Sequence, residues 1–176
     1  MNFSETVKST LNDIIFEMSN NLSGFVNNPD KDFSRNRKMG FCKTTSFLLS
    51  MESGNINHEL LKAFHFNTDT LTCSAFYQQR AKLKTDTFQY LLKNFNSHFP
   101  LKKYKNKYYL IACDGSEFNI PTNPDDVLSF NLHTISLYDV LGRRYLDLEI
   151  QPQEKKMNFV HFVTLWTDIP MAVSLS

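Results

Sequence analysis

Two groups of residues in this chain have types and spacing that chemistry could use. The first is acidic. Asp114 closes the apolar run Tyr108-Tyr109-Leu110-Ile111-Ala112-Cys113 and is followed by Gly115. A carboxylate at the end of a buried strand is held rigidly at a sheet rim, where it could ligate a divalent metal. Mg2+ takes hard oxygen ligands, and two such ions can flank an in-line phosphoryl displacement. The same Asp-Gly pair is also one of the commonest turn dipeptides. Asp147 and Glu149 alternate along a second strand-like stretch. They offer either a further acidic site or, more simply, a solvated strand face. Asp125 and Asp126, after Pro124, read as a turn.

The second group is basic and amide-rich. Gln78, Gln79, Arg80 and Lys82 cluster at the end of a helix-turn-helix-like stretch from His58 to Leu83. Amides can read adenine edges, and Arg or Lys can hold phosphates or guanine. Arg35, Arg37 and Lys38 could clamp phosphates upstream, or form a solvated loop. Both clusters also fit an ordinary helical unit. The five histidines have no ligand-like spacing. There is no phosphate-binding loop, no dinucleotide-binding glycine pattern and no serine elbow.

Charge separates along the chain although the net is only +1. Residues 1–30 hold one Lys and four acids, net −3. Residues 31–108 hold fourteen Lys and Arg against five acids, net +9, and residues 109–176 hold four against nine, net −5. A basic middle followed by an acidic end suits a chain that meets a polyanion and then holds cations, although solvated faces give the same blocks.

These groups must be positioned by elements, and the periodicity supplies them. Leu11, Ile14, Ile15, Met18, Leu22 and Phe25 predict an amphipathic helix over 4–26, broken at Asn27-Asn28-Pro29-Asp30. Further helices are expected at 44–51, at 58–66 behind Asn57, at 74–83 behind Thr70 or Thr72, and from Thr85 or Asp86 to about Pro100. Lys102 to Lys107 reads as a basic linker. Strands are then expected at 108–113, 132–138 and 144–150, with a hairpin at Leu141-Gly142-Arg143. Helices first and strands after predict an α+β chain with a boundary near Pro100.

Composition narrows the class further. At 41% hydrophobic, with sixteen Phe and seven Tyr, the chain can bury a core. No apolar run approaches the roughly 18–20 residues of a membrane helix, and the N-terminus lacks a secretory pattern. Three scattered cysteines suit neither a disulfide framework nor zinc, so the expected compartment is the cytoplasm.

Several short motifs, taken in order, resemble one family. Phe33-Ser34-Arg35-Asn36-Arg37-Lys38, Leu48-Leu49-Ser50-Met51 and Ser74-Ala75-Phe76-Tyr77-Gln78-Gln79-Arg80 resemble the N-terminal region of DDE transposases of the insertion-sequence-four type, bacterial mobile elements. Ile111-Ala112-Cys113-Asp114-Gly115-Ser116 is similar to that family's first catalytic strand. Ile120-Pro121, Asn123-Pro124, Leu137-Tyr138-Asp139 and Ile150-Gln151-Pro152 continue it, so the resemblance covers roughly residues 30–158.

The resemblance implies a helical DNA-binding region over 1–100, followed at 101–156 by the first three strands of an incomplete RNase H-like catalytic domain. It implies two Mg2+ held by Asp, Asp and Glu, with Asp114 as the first catalytic and metal-holding residue. It implies that Arg35, Arg37, Lys38, Gln78, Gln79, Arg80 and Lys82 meet double-stranded DNA at transposon terminal repeats. Full-length transposase is a possible partner; neither a membrane nor a small-molecule substrate is expected.

Two departures shape the functional expectation. The stretch from Asp126 to Leu132 is shorter than the family's, and the second Asp and the Glu are not in the sequence. Read one base out of frame, the tail 157–176 permits a continuation like the family's own, so an out-of-frame tail is expected there. The sequence therefore predicts a truncated transposase that binds transposon ends without cutting or joining strands and without holding Mg2+ productively. A stand-alone regulator of transposition and a non-functional pseudogene product are the competing readings. A three-stranded start of such a sheet is also expected to leave its inner edge and at least one apolar face uncovered.

Overall fold

A computed structural model describes residues 2–35, 37–118, 132–152 and 171–174. The chain is mixed α and β and divides into two compact units, residues 1–95 and 96–176. The division falls five residues before Pro100. Asn96, the first residue of the second unit, donates its side-chain amide to the carbonyls of Tyr145 and Leu146 at 2.9 and 3.1 Å.

The first unit is helical. Helix α1 spans Phe3–Asn20, α2 Phe41–Ser50, α3 Ile56–Ala63, α4 Cys73–Arg80 and α5 Thr87–Ser97. Helix α1 opens on a capping box, in which the Asn2 N–H is held by the Glu5 carboxylate. It ends at Asn20, short of the expected residue 26, because Leu22–Gly24 tightens into a 3-10 turn. Asn55 caps α3 through the Asn57 N–H, and Thr72 caps α4 through the Ala75 N–H. Ile14, Ile15 and Met18 on α1 pack with Phe25, Val26, Phe41 and Leu91 into one core cluster. Met39, Phe47, Leu60 and Phe76 form another.

The second unit is a sheet. Strand β1 covers Tyr109–Phe118, β2 Leu132–Asp139, β3 Arg144–Pro152 and β4 Met171–Ser174, in the order β3-β2-β1-β4. The first three are antiparallel neighbours, and β4 runs parallel to β1. The inner edge of β1 is thus paired over Tyr109–Ala112 rather than left bare. Apart from β4, the tail 157–176 lies outside the described residues, as do Pro121, Asn123, Pro124, Asp125 and Asp126.

Two strand expectations need correction. Strand β1 does not end at Asp114-Gly115 but continues to Phe118. Gly115 keeps a negative φ and pairs with Ile135, so an unbroken ladder with β2 overrides the local turn preference. Asp147 and Glu149 do not lie on a solvated face either. They pair with Leu137 and Ile135, both buried, and are themselves half-buried. Leu148 and Ile150 take the exposed face instead. A bulge causes this. The register shifts between Leu137 and Tyr138, leaving Leu146 unpaired and 4% exposed in the core.

Candidate nucleic-acid interface

In the helical unit, one open cleft of about 360 Å3 gathers cationic side chains from two distant stretches. Lys31, Arg35 and Arg37 come from the loop before α2, and Gln79 and Lys82 from the end of α4 and the turn after it. Asp30, Phe33, Ser34 and Met39 complete the lining.

The two stretches meet because the backbone is laced together beside them. Val26 and Leu83 form an antiparallel bridge. The Asn27 N–H donates to the Lys82 carbonyl at 2.9 Å, and the Lys84 N–H donates to the Phe25 carbonyl at 2.9 Å. The Asn27 side chain also donates to the Ala81 carbonyl at 2.9 Å. Pro29 and the polar residues around it turn the chain, and the buried Asp32 carboxylate accepts the Asn28 N–H at 2.8 Å. Met39, 1% exposed, anchors the far end of the loop in the core.

Lys82 is the most constrained cation in the cleft. Its ammonium donates to the Gln79 side-chain oxygen at 2.9 Å and stands 5.1 Å from the centre of the Phe33 ring. Phe33 packs edge-on against Phe41 at 5.7 Å, and its backbone holds a left-handed φ of 57°. That conformation is costly for a residue with a Cβ, so the surrounding packing must hold it.

The seven residues expected to meet DNA do not all share this place. Arg35, Arg37, Gln79 and Lys82 line the cleft. Lys38 turns away to form an ion pair with Asp69. Gln78 is exposed beyond the cleft, and Arg80 lines a separate groove with Leu48, Leu49 and Met51. Successive helical residues point about 100° apart, so neighbours in sequence cannot share one surface. Gln79 sits one turn from Phe76 on the inward face and is 6% exposed. It therefore serves as a holder of Lys82 rather than as a free reader of bases. Lys31 and Phe33 went unrecognised as lining residues; only the arrangement of the loop brings them in.

Asp114 stands on the exposed part of β1. Its ladder partner is Ser136, and Leu148 pairs with Ser136 on the far side. Paired residues share a face, so Asp147 and Glu149 lie on the opposite one. Burial, and then the Asp114 charge, push the neighbouring Cys113 thiol up, so it stays protonated. Among the described residues no group of three His, Cys, Asp or Glu side chains could hold a metal ion. The described residues do not by themselves fit a two-Mg2+ site. His133 meets Glu117 across the ladder at 3.5 Å, and Cys42, Cys73 and Cys113 are free thiols. No described helix is long and apolar enough to cross a membrane.

Set against known proteins, the chain matches no family model, no curated protein and no solved structure.

Proposed function

We propose that this chain binds duplex DNA through the cleft of its helical unit, as the end-binding part of a DDE transposase of the insertion-sequence-four type. The observation that carries the reading is the convergence of Lys31, Arg35, Arg37 and Lys82 on one cleft from stretches more than forty residues apart. Phosphate contacts of this kind supply affinity and register, and bases are read by whatever the docked unit brings to the groove. The motif order from Phe33 to Pro152 supports the transposase assignment, and β1 with its Asp114 takes the place of the first catalytic strand.

On this reading the chain occupies DNA ends and does not cut them. Cleavage by that chemistry needs further carboxylates beside Asp114, and among the described residues its face of the sheet offers Ser136 and Leu148 instead. The same observation favours a second reading, a regulator that competes with full-length transposase for the ends. Supercoiled plasmid incubated with the chain and Mg2+ should remain un-nicked.

The deciding experiment is fluorescence anisotropy with labelled duplexes. A duplex carrying terminal inverted repeats should bind more tightly than a random one, with affinity falling steeply as salt rises. Equal affinity for both duplexes, or binding indifferent to salt, overturns the proposal.

A further inference from the structure

The basic linker before β1 is a built hairpin rather than a tether. The Tyr104 N–H donates to the Tyr108 carbonyl at 2.7 Å, and the N–H groups of Lys107 and Tyr108 both donate to the Tyr104 carbonyl at 3.1 Å. Lys105 and Asn106 hold left-handed φ values of 49° and 55°, the arrangement a mirror-image turn requires. Asn tolerates that region and Lys does not favour it.

Three of the four lysines around this turn stand over a tyrosine. Lys103 lies 5.2 Å from the Tyr109 ring centre, Lys105 5.4 Å from Tyr104 and Lys107 5.1 Å from Tyr108. The rings restrain side chains that would otherwise lose much rotamer freedom on binding. Lys102 through Tyr108 are all exposed, and no acidic residue occurs between Asp86 and Asp114.

We infer that this hairpin is a second contact for duplex DNA, gripping its phosphodiester backbone independently of the cleft in the helical unit. The alternative of a single strand stacked on the tyrosines fits less well. Base stacking needs open ring faces, and here an ammonium covers one face of each ring. What the hairpin offers solvent is three cations held over tyrosine rings, the groups that address phosphates.

The test uses the full chain and a labelled duplex, with anisotropy measured across a salt series. Replacing all three lysines, as K103Q/K105Q/K107Q, should weaken binding about 10-fold near 0.1 M salt. It should also lower the log–log salt slope by about 2 to 3, one step per lost phosphate contact. The charge-preserving K103R/K105R/K107R should restore both. Circular dichroism melts of all three proteins should coincide, because the changed side chains are exposed. Unchanged affinity and slope in the glutamine variant overturn the inference, as does a loss confined to single-stranded oligonucleotides. A parallel variant, R35Q/R37Q/K82Q, reports on the cleft alone, so either site can fail while the other stands.

Discussion

Asp139 and Arg144 face each other across the first rung of the β2–β3 hairpin, with the Arg144 Nε 3.6 Å from an Asp139 carboxylate oxygen. The other carboxylate oxygen accepts the Gly142 N–H at 2.9 Å, and the guanidinium also reaches the Phe99 carbonyl. Asp139 is 2% exposed. Removing it strands a largely buried cation, so Asp139→Ala should cost about 3 kcal/mol. Urea denaturation followed by amide exchange in β2 and β3 measures this, with the helical unit as internal control.

Thr87 bonds two distant parts of the helical unit. Its hydroxyl donates to the buried Phe25 carbonyl at 3.0 Å, while the Lys84 N–H supplies that carbonyl with another donor. Thr87→Val keeps the shape and removes one of two bonds. The expected loss is about 1 kcal/mol, read from a denaturation midpoint.

Gln79 should influence DNA affinity without touching DNA. Gln79→Leu removes the acceptor that holds the Lys82 ammonium, and Lys82→Met removes the cation itself. The two changes share one effect, so the double variant should bind DNA about as weakly as Lys82→Met alone. Fully additive losses in anisotropy titrations would show that Gln79 acts on its own.

The Glu52–Lys62 pair gives a pH signature. The Lys62 hydrogen bond at 2.8 Å, and then its charge, hold the Glu52 carboxyl below its ordinary range. Glu52 correspondingly raises Lys62. A depressed carboxyl contributes stability that is present above its unfolded pKa and is lost as pH falls through the folded one. An NMR titration should therefore find Glu52 low in the native protein and back at its ordinary value in Lys62→Met. Because the pair is exposed, the effect should fade in high salt.

The helices were legible from apolar spacing and in part from caps: Ile14, Ile15 and Met18 marked α1 and Thr72 stood where a cap belongs, whereas the expected cap Asn57 lies inside α3 and Asn55 caps it instead. The three main strands were visible as apolar or alternating runs. What escaped depended on partners far along the chain. Nothing local to Asp114-Gly115 reports that β2 will hold it straight, and nothing local to Leu146 reports a bulge. In the cleft, residue types pointed to Arg35, Arg37 and Lys82, whereas Lys31 and Phe33 join only because Asn27 and Lys84 tie two loops together. The hairpin at Lys105 was hidden because Lys-Asn is a weak signal for a mirror-image turn.

The inverted dress of β3 bears on how the protein behaves in the test tube. Its half-buried flank carries carboxylates, while Ile150 at 56% exposure and Leu148 at 38% look outward, near Phe118 at 54%. A greasy patch of this kind invites self-association as concentration rises. Leu148, Ile150 and Phe118 therefore add a sheet-borne route to self-association beside the exposed phenylalanines of the helical unit, Phe3, Phe16 and Phe66.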